Sequence, residues 1–322
     1  MNPTRASRSR RAALGVALSA LCLAWPAAAQ QPPLRILVGF PAGGSTDAIA
    51  RHLAQGLSEA LQRSVFVENK PGAGGQLAAN ALKAAAPDGH TLFLSNSHAL
   101  AMIPLTIRHP GYDPARDFVP VGLVAISNDV LGVNPQVVGD VRTLRGLVDW
   151  AQAHPDKGSV GVPAAASDPE FGVLILAKEF KARLTAVPYR GDGPVVQDLV
   201  AGQIPAGMGS IGAMMPYVKS GKLRVVAISG PQRLALLPDV PTYAEQGLKG
   251  YGVSGFVALV APTGTPRELL QRYNAAVAGH YLVRAAILQG HLGEAGTRLS
   301  ALAEDVLAAG NQLLMATSFG LL

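Results

Sequence analysis

Cysteine is nearly absent from this chain of 322 residues, and the one thiol, Cys22, lies in an apolar run close to the start. Beyond that run, disulfides and cysteine–metal sites are excluded. The seven histidines, at 52, 90, 98, 109, 154, 280 and 291, form no HExxH or H-x-H cluster, so no metal site and no cofactor are expected. Charged residues make up 15% of the chain and aromatics 5%, with no basic stripe interleaved by aromatics, which argues against nucleic acid as a partner. A phosphate loop is missing too, since Gly74-Gly75 runs into Gln76 where a lysine would be needed. No G-x-S-x-G elbow surrounds Ser45 or Ser210. What remains is an apolar-rich composition, 49% hydrophobic, long enough for two domains with a sizeable core.

The formal charge of +6 is concentrated at the start. Arg5, Arg8, Arg10 and Arg11 precede any acid, and without them 27 basic residues become 23 against 21 acidic ones. An apolar run from Ala12 to Ala24 follows, too short for an ordinary membrane span, and then Ala27-Ala28-Ala29. Residues 1–29 read as an export signal cleaved before Gln30, with a short membrane anchor as the alternative. Tandem arginines at 10 and 11 leave the general and twin-arginine export routes both open. The expected location is the periplasm.

Apolar runs and turn signals divide the rest. Leu34 to Phe40, Ser64 to Asn69 and His90 to Asn96 read as strands, separated by helices from Ser45, with a stripe at Ile49, Leu53, Leu57 and Leu61, and from Gln76 to Ala86. This order implies a right-handed parallel sheet with loops at the carboxyl ends of its strands. Strands at Val119 to Ile126, Val130 to Val133, Gly158 to Val162, Thr185 to Tyr189, Leu223 to Ser229 and Phe256 to Val260 alternate with helices at Leu144 to Ala153, Phe171 to Phe180 and from Pro194. Two closing helices are expected at Pro266 to Gly279 and Leu299 to Leu314. The repeated grammar indicates two α/β lobes.

Two strand-to-helix turns are rich in glycine: Phe40-Pro41-Ala42-Gly43-Gly44-Ser45-Thr46-Asp47 and Lys70-Pro71-Gly72-Ala73-Gly74-Gly75-Gln76. Each aims free backbone N–H groups and the positive end of a helix dipole at one sheet edge, a place for a small anion. Gly207, Gly209 and Gly212 match G-x-G-x-x-G, but without a long strand ahead they read as a close-approach backbone loop. Asp47 and Asp192 each fall near a helix start, as N-caps or as polar groups at a ligand's entrance. Arg190 is either a ligand partner or a solvated surface arginine.

Val38-Gly39-Phe40-Pro41-Ala42-Gly43-Gly44-Ser45-Thr46-Asp47 and Val67-Glu68-Asn69-Lys70-Pro71-Gly72-Ala73-Gly74-Gly75 resemble the opening of the Bug family. These are extracytoplasmic solute receptors of tripartite tricarboxylate transporters. The likeness continues through Pro87-Asp88-Gly89, Val187-Pro188-Tyr189-Arg190-Gly191, Leu237-Pro238-Asp239-Val240-Pro241-Thr242 and Ala261-Pro262-Thr263-Gly264-Thr265-Pro266. The resemblance implies a type II periplasmic-binding-protein fold of the Venus-flytrap kind, with a cleft between two α/β domains. Lobe one would be 30–127 with 254–322, and lobe two 128–253. A ligand carboxylate would be held by Phe40, Ala42, Gly43, Gly44, Ser45, Thr46 and Asp47, and by Ser95, Asn96, Ser97 and His98. Lobe two would add Ser159 and the loop after it, Gly191 and Asp192, and Gly209 and Ser210. Ala164 to Pro169 and Ile204-Pro205 depart from commoner family patterns on the lobe-two side. The resemblance implies a non-catalytic monomer that captures a small organic anion for inner-membrane transporter subunits or a sensor. The rival from another class is an exported α/β enzyme acting on a carboxylate or phosphate ester. The glycines at 72 to 75 read as architectural.

Overall fold

A computed structural model describes residues 31–252 and 254–288; the expected signal and the helix expected at Leu299 to Leu314 lie outside the described residues. Strand β1 (Leu34–Val38) is buried on both faces, so its residues divide between two cores. Ile36 packs under helix α1 (Ser45–Leu61), whose Leu53 and Leu57 are fully buried. Leu37 faces the other way, toward Ala78, Ala79 and Leu82 of α2 (Gln76–Lys83). This alternation is why the strand reads as a continuous apolar run.

Strands β2 (Val65–Asn69) and β3 (Thr91–Asn96) flank β1 in parallel. The chain then runs through β4 (Phe118–Ser127) and leaves the sheet. It returns as β10 (Gly255–Pro262), antiparallel between β3 and β4, giving the order β2-β1-β3-β10-β4. Helix α7 (Arg267–Leu288) follows and lays Tyr273 and Val277 into the α1 side of the core.

A second five-stranded sheet, in the order β7-β6-β8-β5-β9, lies between those two visits. It comprises β5 (Asp129–Val133), β6 (Ser159–Val162), β7 (Thr185–Pro188), β8 (Ala206–Ser210) and β9 (Arg224–Ile228). The longer helices here are α3 (Leu144–Ala153), α4 (Asp168–Glu179), α5 (Asp192–Val200) and α6 (Ile211–Lys219). Strands β7 and β8 run parallel to β6, while β5 runs antiparallel to β8 and β9.

The structure corrects the reading of Gly207 and Gly209 as a loop: both lie in β8, a central strand. Close approach is nonetheless the reason for both glycines. A Cβ on Gly207 would lie 3.0 Å from Val195 of α5, and one on Gly209 would lie 2.5 Å from the Asp192 carboxylate. Helix α5 also begins at Asp192 rather than at Pro194, and α4 at Asp168 rather than at Phe171.

The two crossings between the sheets are tied to each other. Asn128 Nδ2 donates to the Ser229 carbonyl (2.7 Å) and to Ser254 Oγ (3.2 Å). The Asp129 N–H donates to Ser229 Oγ, and the Ser229 N–H to the Asp129 carbonyl, both at 2.8 Å.

Candidate functional site

Four helices begin at one cavity of about 460 Å³: α1 from the first sheet, and α4, α5 and α6 from the second. Each start leaves backbone N–H groups without intrahelical acceptors and carries roughly half a positive charge. Phe40, Ile49, Ile126 and Val257 supply an apolar wall on the first-sheet side.

The turn into α1 is built around Asp47, which is not an N-cap; Gly44 is. Gly43 takes a φ of +84°, open to glycine at little cost. Its N–H then donates to Asp47 Oδ2 (2.9 Å). The same carboxylate accepts from Arg51 Nε (2.9 Å) and Asn69 Nδ2 (2.8 Å). Burial pushes the Asp47 carboxyl up, but the bonds from Arg51, Gly43 and Asn69 outweigh it and hold it below the usual carboxylate range. Asp47 therefore stands behind the turn as a brace. The first N–H to find a helical acceptor is that of Ala48, bonded to the Gly44 carbonyl (3.0 Å). Among the described residues, the N–H groups of Ser45 and Thr46 have no acceptor, and both residues line the cavity.

Asp192 is the first residue of α5, capped by Gly191. It accepts from Ser210 N (3.1 Å), Ser210 Oγ (2.8 Å) and, from the first-sheet side, Ser45 Oγ (2.7 Å). A longer bond repeats the pattern: Ser97 Oγ reaches Asp168 Oδ2 of α4 at 3.5 Å. Serine hydroxyls of one sheet thus meet helix-start carboxylates of the other across the cavity.

Of the residues expected at the site, Phe40, Ala42, Gly44, Ser45, Thr46, Asn96, Ser97, His98, Gly191, Asp192 and Ser210 line the cavity. Gly43, Asp47, Ser95, Ser159 and Gly209 do not. Gly43 and Asp47 shape the turn from behind, and Gly209 makes room for Asp192. Ser95 is buried in β3, its hydroxyl without a partner among the described residues. Ser159 opens β6, paired with Thr185, whereas the lining comes from beyond the strand's other end, at Pro163, Ala164 and Ser167 to Pro169. The second glycine turn contributes no lining residue. It backs the first, since a Cβ on Gly39 would lie 2.6 Å from Gly75 Cα. Arg190 lines the cavity from an exposed position.

Asp129 escaped the sequence reading. It begins β5 at the crossing between sheets, where no helix cap or glycine turn marks it. Burial raises its carboxyl to about 7, aided by the charges of Asp192 and Asp168 and opposed by the Tyr251 hydroxyl at 3.4 Å. Burial also pushes His98 down to about 4, so its ring is neutral at pH ~7. Neither Ser45 nor Ser210 pairs with it; both donate to Asp192.

The family model described as the tripartite tricarboxylate transporter family receptor matches residues 49–288. The chain belongs to this receptor family. The receptor is 34% identical over 287 residues to protein BugT of Bordetella pertussis strain Tohama I, a match spanning 87% of each chain. Its structure is similar to R. palustris Rpa4515 with adipate (TM-score 0.73, 29% identity, 87% of this chain and 97% of that one). It is also similar to MatC (Rpa3494) from Rhodopseudomonas palustris with bound malate (TM-score 0.72, 30% identity, 86% and 97%). The two-lobed α/β periplasmic-binding-protein fold implied by the resemblance holds for the receptor. Among the described residues, no helix is long and apolar enough to cross a membrane.

Proposed function

We propose that the receptor is a non-catalytic periplasmic protein that captures a small carboxylate-bearing solute between its lobes. It then presents the solute to the membrane subunits of a tripartite tricarboxylate-type transporter or to a sensor. In this reading lobe one is 30–127 with 254–322 and lobe two is 128–253. The observation that carries it is the pair of free N–H groups on Ser45 and Thr46, at the start of a helix of 17 residues that opens onto the cavity. Hydrogen bonds from backbone N–H groups to a carboxylate are worth roughly 1.5–3 kcal/mol each. Together with the helix dipole and apolar contact on Phe40 and Ile49, they supply a large part of the ~8 kcal/mol of a micromolar complex. Malate and adipate, bound by two similar proteins, both carry carboxylates, which supports this class of ligand.

A serine–histidine hydrolase using the same cavity needs hydroxyl and imidazole in contact, and the hydroxyls of Ser45 and Ser210 are directed at Asp192, not at His98. The test is a thermal-shift panel of small mono-, di- and tricarboxylates, with each stabilising compound recovered after long incubation. A ligand at ~100 times its dissociation constant adds about 2.7 kcal/mol of stability. The receptor reading expects at least one such shift, with the compound recovered unchanged. Consumption of the compound contradicts it.

A further inference from the structure

Three carboxylates face this cavity, and they are not equivalent. Asp192 is saturated by Ser45 and Ser210. Among the described residues, the Asp168 carboxylate receives only the 3.5 Å contact from Ser97, and the Asp129 carboxylate only the 3.4 Å contact from Tyr251. Both therefore keep acceptor capacity turned to the cavity, and neither belongs to an ion pair among the described residues. The one cation in the lining, Arg190, is exposed and has no ion pair there. A neighbouring polar group adds to this: His98 is only 6% exposed, lines the same cavity, and its Nδ1 has no hydrogen-bond partner among the described residues.

We infer that the cavity is built for a bifunctional solute, with a carboxylate on the N–H groups of Ser45 and Thr46 and a cationic nitrogen received by Asp129 and Asp168. This rests on the carboxylate-receptor reading above and narrows it to amino-carboxylates. The electrostatics run in one direction. Burial pushes Asp168 up, and burial with two neighbouring charges brings Asp129 to about 7, so the cavity lining carries negative charge it holds poorly. An ammonium group relieves that repulsion and fills the vacant acceptor positions. A second carboxylate adds to it. A metal ion is a poor occupant, since no group of three or more His, Cys, Asp or Glu among the described residues is arranged to hold one.

The test compares ligands of matched length on the unaltered protein at pH ~8: γ-aminobutyrate against succinate, δ-aminovalerate against glutarate, and ε-aminocaproate against adipate. Titration calorimetry is expected to find an amino-carboxylate that binds roughly tenfold or more tightly than its dicarboxylate, about 1.4 kcal/mol. Asp168→Asn is expected to remove most of that advantage, provided its melting curve is cooperative; the wild-type comparison stands without it. Dicarboxylates that bind equally or more tightly overturn the inference and leave the carboxylate receptor intact. If none of the six binds at about 10 mM while other carboxylates do, the inference alone fails. If no carboxylate binds, the receptor reading fails and takes the inference with it.

Discussion

Asp129 is the residue whose charge state is most exposed to experiment. Its carboxyl titrates at about 7 in the folded protein, against an ordinary value of 3.8. Between those values the folded state holds a proton that the unfolded state has released, so this group lowers stability as pH rises through the window. Asp129→Asn removes the penalty. The variant is expected to melt above wild type at pH ~8, with the gap closing toward pH ~4, as followed by circular dichroism. An equal gap at both ends contradicts the assignment. His98 runs the other way: burial depresses it from 6.5 to about 4, and stability tied to it is lost as pH falls through that interval. Ring nitrogen shifts measured by NMR are expected to report a neutral imidazole at pH ~5, where a free histidine is protonated. Asp47 belongs to the opposite class, held charged by Arg51, Gly43 and Asn69, and its contribution is lost only in stronger acid.

At the scale of elements, β8 and α5 set the second-sheet half of the cavity. Gly207 and Gly209 let the helix and the Asp192 carboxylate press onto the strand. Gly209→Ala forces a methyl within 2.5 Å of Asp192 Oδ1, in a carboxylate held by a bond from Ser210 N on that oxygen and by the hydroxyls of Ser45 and Ser210 on the other. The expected loss is about 1–3 kcal/mol, or roughly 2–4 °C in Tm per kcal/mol. A melting point equal to wild type contradicts the packing argument. These same elements show what the sequence could reveal. The stripe at Leu53, Leu57 and Leu61 announced α1 because a helix buried on one face repeats its apolar residues. Strand β8, Ala206-Gly-Met-Gly-Ser, has no β-branched residue, since small side chains are required beneath α5; its sequence therefore resembles a loop. The α1 turn was legible because glycines and a capping context mark a helix start locally. Asp129 and Asp168 were not: Asp129 gains its meaning from Asp168, Asp192 and Tyr251, which are distant in the chain. Ser159 lies at the start of β6, whereas the loop after the strand, at Pro163 and Ala164, reaches the cavity.

At the scale of the whole molecule, two sheets share a cavity and are joined by crossings pinned through Asn128 and Ser229. Bonds from Ser45 to Asp192 and from Ser97 to Asp168 connect the lobes across it. In the proposed reading, a ligand that fits between them better than water does shifts the population toward closure. Asp192→Ala removes the shorter connection, and small-angle scattering of the ligand-free variant is expected to give a larger radius of gyration than wild type. An unchanged radius means that the bond does not govern closure. The central claim, that a carboxylate sits on the start of α1, has a direct test in Ser45→Pro. Proline suits the first helical position, and Gly44 before it is already extended (φ −77°, ψ 170°), so the fold is preserved while one N–H donor is lost. Ser45→Ala controls for the hydroxyl bonded to Asp192. Titration calorimetry with a carboxylate that binds wild type is expected to give roughly tenfold or greater weakening in Ser45→Pro relative to Ser45→Ala, the loss of one charge-assisted bond. Equal affinities in the two folded variants would place the carboxylate elsewhere and contradict the account.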